Sequence, residues 1–180
     1  GLDVPMKDFD ISLEYVDLAN NRRYQNRAYH EARGEALWTK NHILNKYSVA
    51  SIVSELRRIV GQVKVSDEYF IHMGQGRVID PNLNLCIFPD LEAALRTREE
   101  VDRVLRRFSS AGTLVVTLGM TETWMDRNTG EAISGCPNPR ALKKEPGRFY
   151  FVNASFESLM DDLHAMTELA RQYNDAPDDL

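Results

Sequence analysis

From Ser48 onward apolar residues recur at three- and four-residue spacing, with Val49, Ile52, Val53, Leu56 and Val60 followed by Gly61. This spacing predicts an amphipathic helix with one buried face and a glycine stop. The pattern then shortens. Tyr69 to Met73 is an apolar run ended by Gly74-Gln75-Gly76, and Leu85 to Phe88 is another, bounded by Asn84 and Pro89, so both predict strands or extended segments. Thr97 with Glu100 three residues on has the spacing of a capping box. The helix it would open puts Val101, Val104, Leu105 and Phe108 on one face and Arg103, Arg106 and Arg107 on the other. Ser109-Ser110-Ala111-Gly112 breaks that helix, and the β-branched run Thr113 to Leu118 follows without alternation, as a strand covered on both faces requires. It predicts the central strand of a parallel sheet. Helix, turn and strand would then form half of a βαβ unit.

Beyond it, Asp126-Arg127-Asn128-Thr129-Gly130 is turn chemistry, predicting a hairpin over Trp124 to Ile133. Gly135 to Pro139 predicts a rigid loop, Phe149 to Val152 a short strand, and Ser155 the N-cap of a last helix buried along Leu159, Leu163, Met166, Ala170 and Tyr173. Residues 1–47, with scattered aromatics and poor periodicity, read as an irregular and partly helical lead-in, and 174–180 as a flexible acidic tail. No repeat or linker divides the chain. The expectation is one α/β domain over 1–180.

Composition narrows the class. Of 180 residues 43% are hydrophobic and 27% charged, enough apolar mass for a core, which excludes a disordered or low-complexity chain. The charge balance, 22 − 27 = −5, argues against a nucleic-acid-wrapping domain. Two distant cysteines, Cys86 and Cys136, make neither a disulfide scaffold nor a zinc knuckle and read as free thiols of a reducing compartment. No apolar run approaches the ~20 residues of a membrane span. Gly1-Leu-Asp-Val-Pro5 lacks a signal peptide and also a starting Met, so the chain reads as a processed or excised segment, with a cytoplasmic location as the expectation.

The candidate chemistry gathers at Thr117-Leu118-Gly119-Met120-Thr121-Glu122-Thr123-Trp124, just past the carboxyl end of the expected central strand, where open parallel sheets bind ligands. Gly119 lets backbone approach a ligand, Thr121 offers a hydroxyl, Glu122 a charge and Trp124 a stacking face. The bland reading makes Thr121 a turn cap, Glu122 a solvated acid and Trp124 core. Asp80, held before Pro81, either binds a sugar hydroxyl or braces the turn, and Asn45 is either a second polar site residue or a helix-flanking turn residue. Ser134, beside Gly135-Cys136, is the most loop-like serine and a minor candidate nucleophile, as is Cys136. His30, His42, His72 and His164 share no metal-ligand spacing, so neither a metal nor a cofactor is expected.

The octet ending at Trp124, with Asp126, Thr129-Gly130 and Gly135-Cys136-Pro137, resembles the signature of the GSCFA domain, a branch of the SGNH (GDSL-type) esterase superfamily. Weaker similarity runs through Asn45 to Ile52, Gly76 to Pro81, Arg98 to Val101 and Phe149 to Asn153, covering roughly residues 40–173. The resemblance implies a three-layer α/β/α fold with a mostly parallel sheet, incomplete in this chain, and hydrolysis or transfer of acyl esters. It implies catalytic roles for Gly119, Thr121 and Glu122, with Thr121 where SGNH enzymes carry an oxyanion-donating Asn, and substrate contacts for Trp124, Asn45 and Asp80. The Gly-Ser-Cys-Phe-Ala motif that names the family, and a downstream His block, do not occur here. Two readings follow. In one the chain is the interior of an acyl-ester hydrolase or O-acyltransferase acting on an acylated glycan or small ester, inactive alone. In the other it is a non-catalytic carbohydrate-binding or assembly module. A sheet edge left open by the missing ends would favour self-association in either.

Overall fold

The computed structural model describes residues 46–83, 86–106, 116 and 119–174. Helix α1 is Val49–Ile59, as the spacing predicts. Ser48 caps it reciprocally: its Oγ accepts from the Ser51 N–H at 3.2 Å, and the Ser51 Oγ accepts from the Ser48 N–H at 3.3 Å. The chain then turns at Gly61, whose φ of +78° is a left-handed conformation that favours glycine.

Strands β1 (Ile71–Gly74) and β2 (Arg77–Ile79) form an antiparallel hairpin with Ile71 opposite Ile79. Its turn runs through Gly74, Gln75 and Gly76, all at positive φ. Phe88 extends the ladder by an antiparallel bridge to Val78, exchanging backbone hydrogen bonds of 3.1 and 2.8 Å, so the extended segment expected at Leu85 to Phe88 is present at its described end.

Helix α2 is Leu91–Arg106 and starts earlier than the Thr97/Glu100 spacing predicts. Asp90 Oδ1 accepts from the Ala93 N–H at 2.7 Å, while Thr97 sits inside the helix and donates its hydroxyl to the Ala93 carbonyl at 2.8 Å. The capping box expected there does not form. Ala93, Ala94 and Arg98 carry the buried face N-terminally into Val101 and Val104, and that burial, with a carboxylate just after Pro89, sets the start. Phe108 and Arg107 lie outside the described residues.

The second sheet has the order β4–β3–β5, from β3 (Glu122–Asp126), β4 (Ala132–Ile133) and β5 (Phe149–Asn153). Trp124 faces Ile133 on one side and Phe151 on the other. The hairpin expected over Trp124 to Ile133 is this β3–β4 pair, closed where the Asp126 N–H donates to the Glu131 carbonyl at 2.9 Å and Gly130 takes φ +72°. Helix α3 (Pro139–Lys144) is capped by Asn138, whose Oδ1 accepts from the Arg140 N–H at 2.9 Å. Helix α4 (Phe156–Asn174) is capped by Ser155, which accepts from the Ser158 N–H at 3.2 Å.

This architecture corrects the expected mostly parallel α/β/α sheet: the described strands form two small sheets, both antiparallel, with four α-helices. The parallel reading rested on Thr113 to Leu118, of which only Val116 lies among the described residues. The strand that does form begins at Glu122, and a tight turn after Asp126 reverses the chain at once, so its neighbour is antiparallel.

Three clusters of buried side chains hold these elements together. Phe70, Val78 and Phe88 pack against Ala94, Val101 and Val104 of α2. Ile71 and Ile79 meet Ile133 and Phe149, which joins the two sheets. Val49 and Val53 of α1 pack on Leu169 of α4, with Leu159, Leu163 and Met166 partly buried beside them.

Candidate functional site

The Gly119 to Trp124 segment lies at the rim of the second sheet, where Gly119, Met120 and Thr121 are exposed. Met120 bridges to Ser48 in parallel, and the Thr121 carbonyl accepts from the Ala154 N–H at 3.0 Å, so the segment is pinned to the start of α1 and the end of β5. Thr121 Oγ1 donates to Asn153 Oδ1 at 3.1 Å. Thr123 is buried, its Oγ1 2.9 Å from Ser48 Oγ. Among the described residues a Cβ at Gly119 would meet nothing within 4 Å.

Alternation along β3 and direct pairing with β5 place Glu122, Trp124, Phe151 and Asn153 on one face. The half-buried Trp124 meets Phe151 edge to face, centroids 5.5 Å apart and planes at 67°, and Phe151 is 54% exposed. Glu122 pairs with Asn153 beside them. The sequence singles out Trp124 and Glu122; Phe151 and Asn153 belong with them only through strand pairing.

Asp80 occupies a different environment. It is fully buried and accepts from Arg98 Nε at 2.8 Å and from Arg98 Nη2, from the Tyr69 hydroxyl at 3.1 Å, and from the backbone N–H groups of Asn82 and Leu83 at 2.7 and 3.2 Å. That geometry braces the turn through Pro81 onto α2. Burial and the facing Asp80 carboxylate push the Tyr69 hydroxyl far above its ordinary pKa despite the Arg98 charge, so it stays a neutral donor. Asn45 lies outside the described residues.

The adjoining charged cluster is one that sequence reasoning misses. Lys46 Nζ lies 2.7 Å from Glu55 Oε1 and 2.7 Å from Ser134 Oγ, and Glu55 is also paired with Arg58 and with Arg98 Nη1 at 3.4 Å. Arg58 reaches on to Asp102 at 2.6 Å. Ser134 is bound to Asn82 through its N–H, 3.0 Å from Oδ1, and through its hydroxyl, 3.1 Å from the carbonyl and 3.0 Å from Oδ1. Burial alone would raise the Glu55 carboxyl, yet Lys46, Arg58 and Arg98 hold it far below the usual range. Burial lowers the Lys46 ammonium; Glu55 opposes this and the charges of Arg98 and Arg58 add to it. Lys46 and Ser134 stand 88 residues apart, and no local pattern joins them.

The remaining candidates are scattered. His72 is exposed and lies 3.1 Å from Asp67, in an open cleft of about 460 Å³ also lined by Glu68, Asn128, Glu145 and Arg148, none of which belongs to the Gly119–Trp124 segment. His164 is exposed on α4, Cys86 is buried with its thiol pushed up by burial, and Cys136 is exposed. Among the described residues no group of three or more His, Cys, Asp or Glu side chains is placed to hold a metal ion, and no helix is long and apolar enough to cross a membrane.

Neither the curated proteins nor the solved structures contain a match to this chain. A family model does match, over residues 13–178, a span that takes in the rim segment, both sheets and the Lys46–Ser134 cluster. The chain belongs to the GSCFA family.

Proposed function

We propose that this chain carries the substrate face of an acyl-ester hydrolase or O-acyltransferase acting on an acylated glycan, the chemistry that kinship of GSCFA domains with SGNH esterases implies. The observation that carries the reading is the edge-to-face contact of the exposed Phe151 with the half-buried Trp124, flanked by the Glu122 carboxylate and the Asn153 amide. Apolar sugar faces pack on aromatic rings while hydroxyls need charged or amide partners at the edge, and this strand pair offers both near Thr121, with Glu122 one residue on and Trp124 three. Thr121 would exchange its bond to Asn153 for one to the oxyanion of the reacting ester. Gly119, where a Cβ would meet none of the described residues within 4 Å, would leave room for the acyl group, and Glu122 would orient the sugar.

The test is acetate release from acetylated xylan by the full-length protein, compared with Thr121→Ala. Release that falls more than tenfold in the variant supports the oxyanion role, since one such donor is worth about 2.7–4 kcal/mol in a preorganised hole. Unchanged release removes Thr121 from the chemistry. Tight binding of the polymer with no release at all would favour a non-catalytic carbohydrate-binding module, which the exposed Phe151 ring against Trp124 would serve equally well.

A further inference from the structure

We propose that the outer edge of β5 pairs antiparallel with the same edge of a second copy of this chain, about a two-fold axis at Phe151. The register of β5 against β3 decides which backbone groups face outward. The Arg127 N–H donates to the Arg148 carbonyl at 2.9 Å and the Ala154 N–H to the Thr121 carbonyl at 3.0 Å. In an antiparallel pair the bonded residues alternate, so the ladder bonds also run through Thr123 with Val152 and Met125 with Tyr150. Phe149, Phe151 and Asn153 therefore turn their N–H and C=O groups away from β3. Strand β5 ends the sheet, and among the described residues nothing bonds to those outward groups.

Edges of this kind are normally blunted by a lysine, a proline or a bulge. Strand β5, Phe149-Tyr150-Phe151-Val152-Asn153, has no charge, no proline and unbroken register over its five residues. Helix α1 packs over the other half of the sheet, where Ser48 Oγ is 2.9 Å from Thr123 Oγ1 and Ser54 Oγ accepts from the Ala132 N–H at 3.0 Å.

The edge is complementary to itself. Pairing about Phe151 sets Phe151 opposite Phe151 and Phe149 opposite Asn153, so every outward N–H meets an outward C=O. The two ends of the strand also differ in charge. Beside its N-terminal end stand Arg127, whose guanidinium lies 4.2 Å over the Tyr150 ring, and the exposed Lys143 and Lys144 that close α3. Beside its C-terminal end stand Glu122, paired with Asn153, and the exposed Glu157 in the first turn of α4. Antiparallel pairing brings the basic end of each copy to the acidic end of the other, whereas parallel addition would set like charges together. Because the seam uses backbone groups, it leaves the sheet face open. The Trp124 and Phe151 rings of both copies then form one row, extending the face proposed for the glycan from one chain to two. The dimer itself does not depend on that reading.

The experiment follows the full-length protein by sedimentation across a dilution series, with hydrogen exchange resolved to single amides. The expected result is a dimer that dissociates on dilution and more readily at high salt. In it the Phe151 and Asn153 N–H groups exchange slowly and speed up as it dissociates, while Tyr150 and Val152 stay protected throughout. Phe151→Pro removes only an outward N–H, which an edge strand tolerates, and should raise the dissociation constant about thirtyfold because both copies lose the bond at the axis. Phe151→Lys sets like charges opposite each other and should give a monomer that melts cooperatively. A monomer at every concentration overturns the proposal. If its Phe151 N–H is nevertheless protected, the edge is covered from within the chain. A dimer with the same dissociation constant in both variants has its seam elsewhere and overturns the proposal as well. The exchange pattern is read on the unaltered protein, so it does not depend on a variant's folding.

Discussion

The Arg148 guanidinium forks onto the Asp126 carboxylate, with Nε 2.9 Å from Oδ1 and Nη2 2.7 Å from Oδ2, and both groups are buried. The same guanidinium donates to the Tyr69 and Phe70 carbonyls at 2.7 and 3.2 Å. One side chain therefore ties the entrance of β5 and the end of β3 to the segment leading into β1.

Arg148→Met leaves Asp126 buried without its partner and three carbonyls without a donor, including Glu68 at 3.4 Å. Breaking a buried pair from one side costs about 3–5 kcal/mol, and a large drop in the urea midpoint with an unchanged slope is the expected result. A change below about 1 kcal/mol would contradict the structural role assigned to the fork.

Asp80→Asn tests the bracing geometry. It removes the carboxylate that takes Arg98 Nε and Nη2 in a buried site and leaves Arg98 only its 3.4 Å contact with Glu55, so a loss of about 3–5 kcal/mol is expected by chemical denaturation. A variant of native stability that instead binds acetylated xylan more weakly would return Asp80 to the substrate.

Ser48→Ala removes the cap of α1 together with the hydrogen bond to Thr123. A loss of about 1–2 kcal/mol follows from the cap, measured by thermal or urea unfolding. Because Ser48 also bridges Met120, faster amide hydrogen exchange at Met120 and Thr121 is expected in the same variant.

Acid should weaken the fold through Glu55. Its folded carboxyl is held far below the 4.5 of an ordinary glutamate, so the unfolded chain binds more protons than the folded one in acid. The stabilisation is present above the unfolded pKa and is lost as pH falls below it. Glu55→Gln should flatten the acid limb of an unfolding-midpoint profile below about pH 4.5, and an unchanged limb would mean that Glu55 is not held low. Lys46 acts with the opposite end of the scale: its folded pKa is below 10.5, so stability should rise with pH as the unfolded lysine approaches that value.

Phe151→Ala separates substrate binding from chemistry. The ring is exposed, so stability should change by less than about 1 kcal/mol, whereas KM for acetylated xylan should rise about fivefold from the lost stacking, worth ~1 kcal/mol. p-Nitrophenyl acetate turnover should not change. Equal loss on both substrates would place Phe151 in the structure of the site rather than in sugar binding.

Local chemistry made part of this protein legible before any fold was known. Ser48 and the Val49 to Val60 spacing define α1, Gly74-Gln75-Gly76 defines the first turn, Asp126 to Gly130 the second, and Ser155 the last cap. Each depends on residues a few positions apart, whose backbone preferences act wherever the segment lies. The octet around Thr121 likewise pointed to the family that the chain belongs to. Sheet direction was beyond that reach, because an apolar run states that a strand is covered and not which neighbour covers it. Only tertiary structure brought Phe151 beside Trp124, Arg148 onto Asp126, and Ser134 against Lys46. Those contacts join residues 22 to 88 apart wherever hydrogen bonding across the sheet or burial of charge decides the partner, as with Arg148 and Lys46, and such pairing energies leave no periodic trace in the sequence.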